Sequence, residues 1–539
     1  MTHIDYKRRQ FLQYATLGTI AATLPGFALA KNQGFNKAPN SSFKADVEIA
    51  LTAQTADVPI LAGAHTHVFK YTGKLLKGPQ SALKELPGYL GPILNFEQGQ
   101  KVRIYFYNQL PEPCVTHWHG MHVPQVMDGH PMYAIYHGEQ YVYEFEVKNP
   151  AGTNWYHSHT HELTATQVYQ GLAGLITISD EAERKLDLPS GEFDLPLVIQ
   201  DRSFTNGNQL RYMLNRHQRM RGFLGDTILV NGQEDSIIPV KTRAYRLRIL
   251  NGSNSRIYKL GWDDGTPVIA IGTDGGLLEK PETLPYIMLA PAERVELWVD
   301  FSGRKPGSDL MLQSLAYQGS ASPMGGGMGG GMRQGMGRMG MMDGASAQNE
   351  VISIAKFHIA EKISDSPKLP AELIPIRRLT AQDISNPDKT VPIAIGMRHM
   401  TFQLNGRTFD MRDHTELEKI PVNSVQKIKI FHDTHGGMGR GGMRGSRGGM
   451  GMMMAMPHPI HLHGQQFQIL SRTQTNQGNA NDTVKDGFIN SGWKDTVLVM
   501  PGEEVEIIKP FKDFTGLFLY HCHNLEHEDM GMMRNFLIS

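Results

Sequence analysis

Short runs in which hydrophobic and polar residues alternate make up most of the chain beyond residue 30, and Gly, Pro and Asn turns separate them. Residues 101–107, 245–250 and 425–430 are the clearest of these runs. Because successive side chains point to opposite faces of a strand, this pattern predicts β-strands with one face in a core. Long helices are not evident, so the pattern predicts an all-β fold.

The strand pattern occurs three times along the chain. Each of the three runs is followed by a turn and a second, similar run, at 137–145, 291–297 and 501–507. Three copies of one pattern predict three related β-sandwich domains. We place them at about 45–185, 186–362 and 363–539.

Two segments rich in methionine and glycine interrupt the strands. Residues 324–342 and residues 436–456 each contain 7 Met and 9 Gly, so together they hold 14 of the 29 methionines. Glycine at this density cannot build a packed core, and both segments are therefore predicted to be flexible loops. The second loop lies directly before a cluster of histidines.

Composition and charge exclude several classes of function. The chain has 53 basic and 53 acidic residues, a formal net charge of zero, whereas nucleic-acid-binding proteins usually carry a clear basic excess. We therefore expect no nucleic-acid partner. No stretch after the N-terminus approaches the ~20 apolar residues of a membrane span. Two cysteines cannot form the disulfide framework of a chain of 539 residues.

The first thirty residues are typical of an export signal. Arg8 and Arg9 precede an apolar stretch that ends at Leu24, and Ala28 and Ala30 form a small-residue cleavage site. The arginine pair resembles the twin-arginine signal, which implies export to the periplasm by the Tat machinery. A chance arginine pair in a general secretory signal is the alternative. Residues 1–30 are accordingly predicted to be removed.

Ten of the 23 histidines fall in four tight clusters. Every cluster contains a His-x-His pair, and the pairs are His117 and His119, His157 and His159, His461 and His463, and His521 and His523. On a strand both histidines of a pair point to the same face, which makes a natural bidentate metal site. The two pairs of the first domain match the two pairs of the third in their flanking residues. Eight imidazoles at one domain interface suit a cluster of about three coppers.

A second set of candidate ligands surrounds Cys522, which lies between His521 and His523 but points to the opposite strand face. His458 precedes the third pair, and His527 and Met532 follow Cys522. A thiolate, two imidazoles and a weak axial Met are the ligands of a blue-copper electron-transfer site. Zinc is the alternative metal, but it prefers tetrahedral sites and gains nothing from an axial Met. The tripeptide 521–523 joins the blue-copper site to the histidine cluster, so an electron could pass from the first to an acceptor bound at the second. The natural multi-electron acceptor is dioxygen.

These motifs resemble those of the multicopper oxidases over the whole mature chain. Residues 524–529 and the Met/Gly loops resemble most closely the bacterial copper-efflux branch, the cuprous oxidases. The resemblance implies three cupredoxin-like Greek key domains and four coppers, one of type 1, one of type 2 and two of type 3. It assigns type 1 to His458, Cys522, His527 and Met532, type 2 to His117 and His461, and type 3 to His119, His157, His159, His463, His521 and His523.

Two carboxylates match acids that supply protons in this family. Asp128 lies eleven residues after His117, and Glu528 lies beside His527. The reduction of dioxygen consumes protons, and a carboxylate near the cluster could relay them. A solvated or structural carboxylate is the alternative for each.

The resemblance implies that the substrate is Cu(I), oxidised to the less toxic Cu(II) as a defence against copper. The candidates for binding it are Met454, Met456, Met397, Met400 and Asp433. Thioether sulfur is a soft ligand that suits Cu(I), although the loops could also be inert linkers or lids. The cuprous oxidases have an Asp where this chain has Met454, so the chain departs from the family's pattern at that position.

Two other functions stay open. One is a laccase that oxidises phenols or other small aromatic reductants, and the other is a copper-binding or division-associated scaffold without turnover. In either case we expect a monomer. Cys114, which stands where His458 stands in the repeat, is predicted to be a buried small hydrophobe. A disulfide between Cys114 and Cys522 would destroy the blue site and is rejected, and Trp118 and Trp155 are predicted to be packing residues.

Overall fold

The computed structural model describes residues 38–212, 215–317, 350–398, 400–433, 456–474 and 482–539. The predicted signal at 1–30, the loop at 324–342, and the loop at 436–456 except for Met456 lie outside the described residues. Met454 is therefore also outside them.

Residues 47–179 form a first sandwich of two sheets. Its strands are β1 Val47–Val58, β2 Thr66–Lys77, β3 Leu83–Lys84, β4 Ile93–Glu97, β5 Lys101–Asn108, β6 Thr116–His119, β7 Gln140–Glu146, β8 Gly152–Ser158 and β9 Ala173–Ser179. The strand orders are β2-β1-β5-β7 and β3-β4-β9-β8-β6. Apolar side chains from both sheets, such as Ile104 and Ile176, share one buried core.

Residues 194–361 form a second sandwich. Its strands are β10 Asp194–Arg202, β11 Thr227–Val230, β12 Ile237–Lys241, β13 Ala244–Asn251, β14 Tyr258–Trp262, β15 Val268–Thr273, β16 Gly276–Leu284, β17 Ile287–Leu289, β18 Arg294–Asp300, β19 Asp309–Ser314 and β20 Ile352–Glu361. The strand orders are β11-β10-β13-β18-β15-β16 and β12-β20-β19-β14-β17. Leu247 and Leu310 come from opposite sheets and lie in the same core.

Residues 391–538 form a third sandwich. Its strands are β21 Val391–Arg398, β22 Thr401–Leu404, β23 Lys419–Ile420, β24 Ser424–His432, β25 His458–Leu462, β26 Gln468–Gln474, β27 Thr496–Val499, β28 Glu503–Phe511, β29 Gly516–Cys522 and β30 Met533–Ile538. The strand orders are β22-β21-β24-β28-β26 and β23-β30-β29-β25-β27. The prediction of an all-β, cupredoxin-like fold is confirmed. The domain boundaries near 185 and 362 stay a prediction. The strands of the three sandwiches lie within 47–179, 194–361 and 391–538.

The repeated sequence signals correspond to one repeated pair of strands. In each sandwich the two runs form neighbouring antiparallel strands, which are β5 with β7, β13 with β18, and β24 with β28. Each pair joins two strands of one sheet, so the same pairing in each sandwich explains why the pattern recurs.

The helices are short and lie between strands. They are α1 Thr164–Gln170, α2 Glu181–Arg184, α3 Arg216–Arg221 and α4 Leu525–Asp529, with 3-10 turns at Gln80–Ala82, Gln125–Met127, Pro131–Tyr133, Gly191–Phe193, Ala381–Asp383, Glu416–Glu418 and Lys485–Gly487. Among the described residues no helix combines the length and the apolar character that a membrane crossing needs.

Candidate metal centres

The His-x-His pairs lie on neighbouring strands at matching positions of the first and third sandwiches. In the first, β6 and β8 are antiparallel and place His117 opposite His157. In the third, β25 and β29 place His461 opposite His521 in the same way. The second histidine of three pairs follows directly after the strand end, and His119 ends β6. The register explains why all four pairs face one side of their sheets.

The eight paired histidines meet between the first and third sandwiches, and none is more than 3% exposed. The rings of His119 and His461 stack with centroids 3.7 Å apart, and those of His117 and His463 stack at 3.9 Å. Nε2 of His521 lies 3.2 Å from Nε2 of both His159 and His463. The structure therefore brings together all eight residues that the sequence pairs predicted. We call this group the trinuclear site.

In His117 and His461 of the trinuclear site, a backbone carbonyl holds one ring nitrogen, and the other ring nitrogen faces neighbouring histidines. Nδ1 of His117 donates to the Asp128 carbonyl at 2.5 Å, and Nδ1 of His461 donates to the Asp495 carbonyl at 2.8 Å. Nε2 of both residues is buried without a hydrogen-bond partner among the described residues. A metal ion is the partner that such converging neutral imidazole nitrogens fit, because an orphaned buried acceptor is otherwise costly.

Burial favours the neutral form of six of these imidazoles. Burial, followed by repulsion from neighbouring imidazolium groups, lowers the pKa of His523 to about 3, and burial is also the largest cause that lowers the pKa of His157 to about 3. Burial likewise holds the pKa values of His117, His119, His461 and His463 well below their usual range. Neutral imidazole is the form that binds a metal ion, so the donor set fits copper.

The second candidate centre lies around the thiol of Cys522. Its Sγ lies 3.5 Å from Nδ1 of His458 and 3.8 Å from Nδ1 of His527, and all three residues are at most 2% exposed. Met532 is fully buried in the same cluster, and its carbonyl accepts a hydrogen bond from the Cys522 backbone N–H at 3.0 Å. Burial raises the pKa of the Cys522 thiol far above its usual value, so a bound soft metal ion is what would favour the thiolate here.

Local structure fixes the loop that follows Cys522. Asn524 precedes α4, and its side-chain oxygen accepts a hydrogen bond from the backbone N–H of His527 at 3.3 Å. The ring of His527 stacks on Phe402 with centroids 3.9 Å apart. The cap and the stacking contact together set the direction of the His527 imidazole.

The first sandwich has other residues at the positions that correspond to the Cys522 centre of the third. Ser158 lies opposite Thr116 where Cys522 lies opposite Ile460, and Cys114 is a fully buried free thiol in the first core. Cys522 is also free. Trp118 and Trp155 are buried in the first sandwich, in agreement with packing roles.

Both predicted proton-relay carboxylates lie against the trinuclear site. Oδ2 of Asp128 accepts a hydrogen bond from Nδ1 of His463 at 2.7 Å, and burial raises the pKa of Asp128 well above its usual value. Glu528 Oε2 lies 3.0 Å from Nδ1 of His521. Burial raises the pKa of Glu528, but the neighbouring His521 and His159 lower it further than burial raises it. One acid is thus biased toward the protonated form and the other toward the ionised form.

Sequence reasoning missed Asp495 and Arg294, which are buried beside the trinuclear site. Oδ1 of Asp495 accepts a hydrogen bond from Nε2 of His119 at 3.1 Å and another from Nη1 of Arg294 at 2.8 Å. Neither residue belongs to a histidine cluster, so the motif gave no signal. The signal that could have found Arg294 is a charged residue at the start of a strand whose other residues are mostly apolar.

The candidate Cu(I) ligands that the structure describes belong to the third sandwich, and three of them pack against its core. Met397, Met400 and Met456 are half-buried and pack against the core that contains Cys522 and Met532. Asp433 follows β24, and its backbone N–H donates to the Ile395 carbonyl at 2.8 Å. The His432 ring lies 5.5 Å from that of His458, and its Nε2 donates to the Met456 carbonyl at 3.3 Å.

A cavity of ≈ 830 Å³ opens next to the same centre. Its lining includes Met220, Met400, Met530, Arg219 and Phe409. The Met220 carbonyl accepts a hydrogen bond from Nε2 of His527 at 3.2 Å, so the cavity wall touches a candidate ligand. A small reductant of mixed apolar and charged character fits such a lining.

Comparison with known proteins agrees with this geometry. Residues 78–183 and 386–539 each match a family model described as Multicopper oxidase. A multicopper oxidase mco of Staphylococcus epidermidis is 31% identical over 444 residues, which cover 82% of this chain and 81% of that protein. A laccase of Bacillus stratosphericus is 29% identical over 497 residues, covering 82% of this chain and 88% of that protein. The crystal structure of McoA multicopper oxidase from Aquifex aeolicus is similar with a TM-score of 0.73 at 30% identity, covering 92% of this chain and 97% of that one.

Proposed function

Because the chain belongs to the multicopper oxidase family, and so is a copper-dependent oxidoreductase with dioxygen as acceptor, we propose that its substrate is Cu(I) and that it serves copper tolerance. The four coppers of the family, when bound, take up single electrons from a reductant and deliver four to dioxygen, which becomes water. We propose which residues bind the coppers, which reductant the enzyme oxidises and in which compartment it acts.

We assign the ligands as the motifs imply, and the contacts of the described residues support this. The sulfur of Cys522 faces His458 and His527, which suits a type 1 site with Met532 as weak axial ligand. The ligands His117 and His461 are assigned to type 2, and His119, His157, His159, His463, His521 and His523 are assigned to type 3.

The observation that carries the oxidase function is the position of the tripeptide 521–523. Its middle residue, Cys522, faces the type 1 ligands, while His521 and His523 face the trinuclear site. Two peptide units therefore fix the distance between the place where a reductant gives up its electron and the place where dioxygen is reduced.

Asp128 and Glu528 form the proton relay in this proposal, with Asp128 as the donor and Glu528 as the group that orients its neighbours. Asp128 can hold a proton on Oδ1, which is buried without a partner among the described residues, while Oδ2 stays bonded to His463. Glu528 lies 3.0 Å from Nδ1 of His521 and 3.7 Å from Nδ1 of His159, so its carboxylate is placed to orient both imidazoles. A buried acid with a raised pKa next to the site can donate, and one with a lowered pKa can orient its neighbours.

Cu(I) as substrate is supported by three thioethers that pack against the core of the third sandwich, which contains Cys522 and Met532. They are Met397, Met400 and Met456, and Met456 leads into His458 through Pro457. Soft sulfur ligands suit Cu(I), whereas a phenol needs no cluster of methionines. Met454 and Asp433 complete the set that we propose, with Met454 taken from the sequence alone.

A laccase that oxidises phenols or other aromatic donors is the second candidate. The ≈ 830 Å³ cavity beside His527 favours it, because a pocket with Phe409 and Arg219 fits an aromatic reductant. The relatives include a laccase, whose name describes that protein.

Periplasmic location by twin-arginine export, and a monomeric state, complete the proposal. The arginine pair at 8 and 9 supports the route. Fusing residues 1–30 to a reporter that must fold before export tests it, with Arg8→Lys and Arg9→Lys together as the matched control. A reporter still exported with both arginines replaced would contradict the twin-arginine route.

One pair of cysteine variants tests the oxidase function. We expect the copper-loaded protein to show the intense blue band of a type 1 site and to consume oxygen with a reductant. Cys522→Ser should lose both, and Cys114→Ser, which removes the other buried thiol, should keep both. A copper-loaded protein that consumes no oxygen with any reductant would instead favour the scaffold alternative.

The substrate is tested by comparing Cu(I) with a phenol. Deletion of residues 438–454 and, separately, Met456→Leu should lower kcat/KM for Cu(I) about 10-fold or more while phenol oxidation is kept or raised, because a lost soft ligand weakens capture of Cu(I) alone. Met288→Leu, a buried methionine of the second sandwich, is the control and should change neither. Equal loss of both activities would contradict a Cu(I) site and indicate misfolding.

A further inference from the structure

The second sandwich contributes no assigned copper ligand, yet one of its arginines reaches the trinuclear site. Arg294 is the first residue of β18, and its side chain is fully buried. Nη1 donates to Oδ1 of Asp495 at 2.8 Å, and Nη2 donates to Oδ2 at 2.5 Å. This two-pronged contact joins the second sandwich to the residue before β27 of the third.

Asp495 in turn contacts two ligands from different sandwiches. Oδ1 accepts a hydrogen bond from Nε2 of His119, of the first sandwich, at 3.1 Å. Its backbone carbonyl accepts a hydrogen bond from Nδ1 of His461, of the third, at 2.8 Å. One residue therefore orients a type 3 candidate through its carboxylate and a type 2 candidate through its peptide group.

The contact with Asp495 decides which nitrogen of His119 is available. Because Nε2 carries the proton that it donates to the carboxylate, the lone pair is on Nδ1, which lies 3.4 Å from Nε2 of His157. Asp495 lies close to His119 and His461, but both of its oxygens accept from the guanidinium. It is suited to hold the imidazoles and not to bind copper itself.

Arg294 has no freedom to move away from Asp495, since all five of its N–H groups have acceptors. Nε donates to the Thr153 carbonyl at 3.1 Å, Nη1 also to the Ala292 carbonyl at 2.9 Å, and Nη2 also to the Asp274 carbonyl at 2.8 Å. Lysine has one nitrogen and cannot reproduce this fork.

We propose that Arg294 is a positioning residue of the trinuclear site, which acts through Asp495 to fix the tautomer of His119 and the orientation of His461. The proposal rests on the copper ligands assigned above. It gives the second sandwich a part in the reaction, because this domain sets the direction of ligands that the other two supply.

Arg294→Lys and Asp495→Asn test the proposal by copper affinity and spectrum. We expect each to lower the affinity of the trinuclear site for copper about 10- to 100-fold, measured by competition with a copper chelator, and to change the type 2 EPR spectrum. Arg256→Lys is the matched control. It removes a guanidinium that is 5% exposed and paired with Asp201 at 2.8 Å but bonded to no assigned copper ligand. It should lower the melting temperature of the copper-free protein while copper affinity and the EPR spectrum stay the same.

The double variant shows whether Arg294 acts through Asp495. In that case Arg294→Lys adds no further loss of copper affinity in the Asp495→Asn background. Wild-type affinity and spectrum in Arg294→Lys, or a loss that adds in full, would overturn the proposal. If Arg294→Lys does not fold, Asp495→Asn is measured alone. Wild-type copper affinity in Asp495→Asn would then overturn the proposal. Failure of the wild-type protein to bind copper at all would instead contradict the proposed function.

Discussion

Asp128 accepts a hydrogen bond from Nδ1 of His463 through its carboxylate at 2.7 Å, although the two residues are 335 positions apart. Its backbone carbonyl accepts a second hydrogen bond from Nδ1 of His117. A single acid of the first sandwich thus holds a ligand candidate of its own sandwich and one of the third. Its place at the interface lets it orient ligands and store a proton at the same point.

We expect Asp128→Asn to lower kcat for oxygen reduction about 100-fold or more, because the amide cannot supply a proton. The amide oxygen can still accept from His463, so copper content should be unchanged. Asp180→Asn is the control, since this buried carboxylate accepts from the backbone N–H groups of Ala151 and Glu183 and touches no assigned copper ligand. Oxygen consumption at the wild-type rate in Asp128→Asn with full copper content would contradict the relay.

Met532→Leu should keep the blue site but change its reduction potential. Met532 is fully buried, and leucine of similar volume should cost less than about 1.5 kcal/mol of unfolding free energy. Loss of a weak axial sulfur destabilises the oxidised copper relative to the reduced one, so the potential should rise. Redox titration of the blue band measures this. An unchanged potential would show that Met532 is not an axial ligand.

His130 should make the protein less stable in acid. Burial lowers its pKa to about 4, and its Nε2 donates to Oδ1 of Asn535 at 2.9 Å. Below pH 6.5, His130 binds a proton in the unfolded chain but stays neutral in the folded chain. The stabilisation present above pH 6.5 is therefore lost as the pH falls toward 4.

Comparison with His130→Gln isolates this contribution, since the other buried histidines are common to both proteins. Between pH 6.5 and pH 5 the wild-type protein should lose about 1.5 kcal/mol more unfolding free energy than the variant, because the slope rises to about 1.4 kcal/mol per pH unit as the unfolded histidine becomes protonated. Thermal unfolding at equal copper content measures the difference. Parallel pH dependences in the two proteins would refute it.

Glu526 should be essential for the stability of the loop that carries His527. Its carboxylate is 1% exposed and accepts from Tyr212 at 2.6 Å, from Asn254 at 3.0 Å, and from Ser255. Glu526→Ala leaves these buried donors without an acceptor, which we expect to cost about 3–5 kcal/mol.

The melting temperature and the blue band of Glu526→Ala should both decrease, because His527, the next residue, is a proposed type 1 ligand. Glu97→Ala, a carboxylate whose side chain is 57% exposed, is the control and should change stability by at most about 0.5 kcal/mol. A variant as stable as wild type would show that other contacts hold the loop.

The histidine sites were predictable because their geometry is local. Strand alternation places both members of a His-x-His pair on one face, and the repeat of the pattern indicates which sandwiches meet. Cys522 between His521 and His523 needed no tertiary information, since covalent bonds fix its neighbours. The sequence did not reveal that Arg294 of the second sandwich takes part, because its contact with Asp495 spans 201 residues and follows no motif.

The sequence by itself thus determined the strands, the three repeats and which histidines and cysteine are candidate ligands, because each depends on a period or spacing that the backbone enforces. Only the tertiary structure decided how each ligand is held. It shows which nitrogen of His119 faces its neighbours, that Asp128 bonds His463 as well as His117, and that Met397, Met400 and Met456 pack against the core that contains Cys522 and Met532. Those relationships depend on how separately folded sheets pack together, and no local pattern in the chain records that packing.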